Sequence, residues 1–141
     1  MTEIGIMLHR VVAGLDRAGD RVLRAELGIS HSRAVLLLVL DRQGPISQRE
    51  LAAELGCTDP AVTGLLREVS RSGFTEVTPD PANRRRNVVS LTPSGRAIVQ
   101  TASALLDQRF ANLLALSHVN GEELLSILTR LDRNLTTPRR Y

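Results

Sequence analysis

"FTEVTPDPANRRRNVVSLT", residues 74–92, is the stretch on which the reading of the whole chain turns. "FTEV" and "NVVSL" are short runs of strand-forming residues in alternation. Between them "TPDPANRRR" carries Pro79, Asp80 and Pro81, residues that favour turns. The expectation is a two-stranded β-hairpin whose loop ends in three consecutive arginines, Arg84, Arg85 and Arg86. A run of like charge is ordinarily a solvated face, so its meaning depends on what surrounds it.

Immediately upstream the period is helical. In "SQRELAAELG", residues 47–56, Ser47 and Glu50 have the spacing of a capping box, Leu51 and Leu55 form an inward stripe, and Gly56 suits a helix stop. After a short turn Thr58 or Asp59 can cap a second helix with Pro60 in its first turn, where a missing N–H costs nothing. Val62, Leu65, Leu66 and Val69 follow at i, i+3, i+4, i+7, and Gly73 ends the helix. Two short helices with a tight glycine-containing turn are a helix-turn-helix, a pattern shared with helical hairpins that bind no DNA. A hairpin placed directly after the second helix makes the pattern much narrower: it is a wing.

Further out the helices lengthen. Residues 2–27 place Ile4, Leu8, Val11, Val12, Leu15, Val22 and Leu23 on one side of a long amphipathic helix, which Gly5, Gly14 and Gly19 weaken. Gly28 suits its C-terminal cap and Ser30 the N-cap of the next, whose body "AVLLLVL" is apolar all round and should be buried. Downstream, Thr92 and Pro93 restart a helix running to about Leu116. Asn120 and Glu123 open a last one, striped by Leu124, Ile127, Leu128, Leu131 and Leu135 and ending near Pro138. The fold class expected is mostly α with a small two-stranded β-wing. A single domain, 1–141, would hold a winged helix-turn-helix core over 30–92 flanked by dimerisation helices at 1–29 and 93–141. Such long amphipathic ends cannot bury their apolar faces on so small a middle, which makes a second copy of the chain the expected partner.

Composition narrows the chemistry. At 141 residues, 43% hydrophobic and 23% charged, the chain is long enough for one core and is neither disordered nor membrane-like. Its apolar run at residues 34–40 is far below the roughly 20 residues of a bilayer span. The beginning "MTEIGIMLHR" lacks a basic n-region and a cleavage site, and a lone cysteine, Cys57, forms no internal disulfide, so a cytoplasmic address is expected. All 18 basic residues are arginine, which excludes a P-loop lysine and a lysine Schiff base. Aromatics are only 2%, too few for stacking on single strands. Residues 67–96 carry six arginines against three acids while the remaining arginines and acids balance, so the whole surplus of +3 lies in one segment. Concentrated charge of this kind suits phosphate. His9, His31 and His118 stand far apart with no H-x-x-H, C-x-x-C or paired-carboxylate cluster, so neither an enzyme nor a metal site nor a bound cofactor is expected.

The run from Ser47 to Arg96 resembles the winged helix-turn-helix core of the MarR family of bacterial transcriptional regulators. That family's wing, D-P-x-D-R-R, is followed by L-T-x-x-G. The matching residues are Asp80, Pro81, Ala82, Asn83, Arg84 and Arg85, then Leu91 to Gly95. Asn83 departs from the pattern, since it stands where relatives have an acid that pairs with the arginine two residues on. It can still hydrogen-bond Arg85, without the charge-assisted component. Gly64 departs too, where relatives often carry a long polar side chain.

The resemblance implies a sequence-specific regulator of transcription, expected to be a repressor, that binds an inverted-repeat DNA operator as a homodimer. On the second helix the face opposite the apolar stripe offers Asp59, Pro60, Ala61, Thr63, Gly64 and Arg67 to the major groove, with Ser47 and Thr58 at the two helix starts. Arg67 suits bidentate contact to guanine. Thr63 and Ala61 suit a thymine methyl. On the wing, Arg85 is expected in the minor groove and Arg84 and Arg86 on phosphates, with Asn83 beside them. Relatives often release DNA when a small aromatic or lipophilic molecule binds between the dimerisation helices and the core, and His9 and Arg17 are candidate ligand contacts. Two other readings stay open. One is a winged-helix protein-interaction module without DNA binding, which needs no arginines on its wing. The other is a thiol-based redox sensor through Cys57, which sits beside a helix N-terminus, where thiols are reactive.

Overall fold

The computed structural model describes residues 2–136 and divides the chain into two compact units, one ending at Leu105 and the other beginning at Leu106. The first holds helices α1 (Thr2–Leu27), α2 (His31–Gln43), α3 (Gln48–Leu55) and α4 (Asp59–Arg71), strands β1 (Thr75–Asp80) and β2 (Asn83–Leu91), and the start of α5 (Pro93–Leu116). The second holds the rest of α5 and all of α6 (Gly121–Thr136). The expectation at Pro138 lies outside the described residues.

Local chemistry sets most of these boundaries. Ser30, Ser47 and Thr58 are extended N-caps whose hydroxyls accept the backbone N–H three residues on. Asn120 Oδ1 does the same for Glu123 at the start of α6. Gly56, with φ 62°, supplies the left-handed residue that ends α3 and lets its own N–H return to the helix carbonyls.

The core of the first unit is built by α2, α3, α4, the base of the wing and the start of α5: Leu36, Leu37, Leu40, Leu51, Val62, Leu66, Val69, Val89 and Val99 are all buried. The α2 run expected to be buried all round has Ala34, Leu36, Leu37 and Leu40 buried, with Val35, Leu38 and Val39 half-buried. Ile46, just before α3, exchanges both backbone hydrogen bonds with Val89 and ties the wing base to the helical body.

The hairpin differs from expectation in one respect. β1 and β2 pair antiparallel from Thr75–Leu91 to Pro79–Asn87, and the next pair is Asp80–Asn83. The turn is therefore only Pro81 and Ala82, and Arg84, Arg85 and Arg86 belong to β2 instead of a long loop. They fall in the register break, where the ladder assigns them no partner. Asp80 Oδ1 accepts the Ala82 N–H and Asn83 Oδ1 accepts the Arg85 backbone N–H, and these short polar side chains fold the tip on themselves. The expected Asn83–Arg85 hydrogen bond is thus made to the backbone.

The L-T-x-x-G stretch joins three segments. Leu91 enters the core, the Thr92 hydroxyl donates to the Gly73 carbonyl at 2.6 Å and accepts the Gly95 N–H, and the Thr92 N–H donates to the Phe74 carbonyl at 3.0 Å. Gly95 lies so close to that carbonyl that a β-carbon would stand 2.1 Å from the oxygen.

Candidate nucleic-acid interface

Helix α4 buries Val62, Leu66 and Val69 and exposes Asp59, Pro60, Ala61, Thr63, Gly64 and Arg67, the two faces its periodicity predicts. Its first turn carries the amides that have no intrahelical partner and the positive end of the helix dipole, with Asp59 as the complementary acid. Thr58 is exposed, and its hydroxyl accepts the Ala61 N–H. Ser47, at the start of α3, is half-buried.

Thr63 is more constrained than its sequence position shows. Its hydroxyl donates to the Asp59 carbonyl at 2.9 Å and accepts a hydrogen bond from the Gln48 amide of α3. With the hydroxyl held between two helices, Thr63 leaves its methyl group as the unengaged part of the side chain. Gly64 has nothing within 4 Å of where a β-carbon would be, so the exposed face of α4 is flat in its middle.

The charges around this face sort into two groups. Glu68, next to Arg67, is held by Arg33 of α2 at 2.8 Å, and the guanidinium beside it keeps its carboxyl below the usual carboxylate range. Glu68 therefore pairs with Arg33 and not with its neighbour Arg67. Arg86 lies between Glu50 of α3 and Asp80 of β1: it hydrogen-bonds the first, and its Nε stands 3.7 Å from the second. Arg86, expected on a phosphate, thus has its guanidinium engaged by carboxylates of the fold. One expectation is corrected: the capping box is not closed, because only its Ser47 half forms and the Glu50 carboxylate turns to the wing. Arg67, Arg84 and Arg85 are exposed and make no ion pair or side-chain hydrogen bond among the described residues. Sequence reasoning missed Gln48, Arg33 and the structural role of Glu50, since their partners lie 15, 35 and 36 residues away and nothing local marks them.

His9 and Arg17 share one open depression with Met7, Arg10, Val11 and Ala13, all on α1. Cys57 is half-buried, packs against the core cluster and donates its N–H to the Ala52 carbonyl, as a small apolar residue would. Among the described residues no group of three or more His, Cys, Asp or Glu side chains is placed to hold a metal ion, and no helix is long and apolar enough to cross a membrane.

The winged arrangement of α3, α4, β1 and β2 coincides with what comparison with known proteins finds, since residues 29–86 match the MarR family. The chain belongs to the MarR family. It is 30% identical over 111 residues to the uncharacterized HTH-type transcriptional regulator YdgJ of Bacillus subtilis (strain 168), an alignment covering 77% of this chain and 66% of the relative. The chain thus spans about two thirds of that protein's length. The transcriptional regulator BldR from Sulfolobus solfataricus has the same fold, with TM-score 0.84, 23% identity and 94% of each chain covered. A mutant of MarR from E. coli complexed with operator DNA superposes with TM-score 0.78, at 25% identity over 94% of each chain.

Proposed function

We propose that this MarR-family chain is a sequence-specific double-stranded DNA-binding regulator, a repressor that reads an inverted-repeat operator as a homodimer. In this reading α4 enters the major groove, with Arg67 bidentate to a guanine. Arg85 enters the adjacent minor groove and Arg84 lies on a phosphate. One observation carries it: two acids of the reading head are held by arginines of the fold, Glu68 by Arg33 and Glu50 by Arg86, while Arg67, Arg84 and Arg85 are left exposed and unpaired among the described residues. Free guanidinium groups beside neutralised carboxylates favour a polyanion, and an interaction module has no need of them.

The test is titration of an inverted-repeat duplex, recovered by selection of bound genomic fragments, at several salt concentrations. Arg85→Ala is expected to weaken binding by about 1–3 kcal/mol, and Arg84→Ala to flatten the salt dependence by about one unit for each half-site. Arg85→Ala protein that binds like the parent would remove the wing from the interface. Release by a small aromatic or lipophilic acid lying against His9 and Arg17 belongs to the same proposal, and repeating the titration with aromatic carboxylates tests it.

A further inference from the structure

We infer that Arg86 is a positioning residue: by holding Glu50 of α3 and Asp80 of β1 together it sets the angle at which the wing presents Arg84 and Arg85. This deepens the DNA-binding reading and rests on it. Three observations converge. The ladder pairs Pro79 with Asn87 and Asp80 with Asn83 but assigns residues 84–86 between them no partner, so β-pairing does not fix the three arginines themselves. Arg86 is the half-buried member of that triplet, while Arg84 and Arg85 are exposed. Its guanidinium faces two carboxylates from two different elements, a local charge balance that is negative and therefore poor for phosphate. Its Nε is buried, lies beyond hydrogen-bonding distance of Asp80, and has no other partner. A side chain so placed orients its neighbours and does not reach outward.

The inference makes a prediction of unusual sign. Deleting an acid near a polyanion ordinarily tightens binding by removing repulsion. Here Glu50→Gln should loosen it, by about fivefold if the surface pair contributes near the top of the usual range. The slope of affinity against salt should stay at the wild-type value, because no phosphate contact is lost. The charge-exchanged pair, Glu50→Arg with Arg86→Glu, should recover part of the affinity. A readout free of DNA accompanies these: hydrogen exchange of the 83–91 segment in the isolated protein should quicken in Glu50→Gln and in Asp80→Asn. Glu50→Gln protein that binds the selected duplex as tightly as the parent, or hairpin exchange that does not change, overturns the inference. If wild-type protein binds no duplex at all, the DNA reading fails, and the exchange measurement alone decides whether the brace exists.

Discussion

Gly64 and Gly95 both sit in helices, where glycine costs roughly 1 kcal/mol relative to alanine, and they occupy their places for different reasons. At Gly95 a β-carbon would fall 2.1 Å from the Phe74 carbonyl oxygen, a backbone atom that cannot turn aside. Gly95→Ala is expected to destabilise the protein by about 1–3 kcal/mol or to move the start of α5, read as a lowered thermal midpoint. At Gly64 the same methyl meets nothing, and Gly64→Ala should raise stability by about 0.5–1 kcal/mol. A melting curve in which both substitutions shift the midpoint in one direction would contradict this assignment. Gly64 is thus unexplained by packing and lies on the exposed face of α4 proposed to meet DNA, where Arg67 is the one long cationic group between Asp59 and Arg67.

Elements bounded by their own sequence were legible; elements shaped by distant partners were not. The caps at Ser30, Ser47, Thr58 and Asn120, and the turn at Gly56, all follow from interactions within about four residues, which is why helix order and limits could be read directly. The wing's register break could not, because a two-residue turn at Pro81 and Ala82 followed by three arginines without ladder partners goes with the Asp80 and Asn83 side-chain turns and with a glutamate two elements away. Of the candidate site, the exposed face of α4 came from periodicity, whereas the separation of Arg86 from Arg84 and Arg85 needed coordinates. The α1–α2 junction is a further tie that sequence hides. Asp20 accepts the His31 N–H at 3.0 Å and the Arg24 guanidinium at 2.8 Å, and the first of these, then the second, holds its carboxyl below the ordinary value. Gly19 makes room, since a β-carbon there would stand 2.6 Å from the His31 ring. A carboxyl with a depressed folded pKa adds stability that is present at neutral pH and disappears as pH falls below about 4 and through the folded value. Urea midpoints of wild type and Asp20→Asn should therefore differ at pH 7 and converge under acid. A gap that persists unchanged to pH 3 would show that the charge is not what matters.

At the scale of the molecule, α1 and α6 carry apolar side chains left exposed among the described residues. On α1, Ile4, Ile6, Met7, Leu8, Val11 and Val12 are each 44–67% exposed, and α6 has no buried residue while Leu125, Leu131 and Leu135 are 48–84% exposed. Exposed apolar faces of this kind suit association, and in the proposed twofold assembly a second copy covers them. Native mass should be that of a dimer. Paired Leu128→Glu and Leu131→Glu substitutions should yield a folded monomer whose affinity for the selected duplex drops on the order of 100-fold, since two half-sites would no longer be engaged jointly. A monomeric parent protein, by sedimentation, would remove the assembly from the proposal. At Phe74 the end of α4, the root of the wing and the first turn of α5 are fastened to one another through Thr92 and Gly95. If the proposed dimer answers an effector, a torque entering the first turn of α5 would therefore move α4 and the wing in fixed gearing, giving the effector a single lever that spreads or closes the two proposed reading heads.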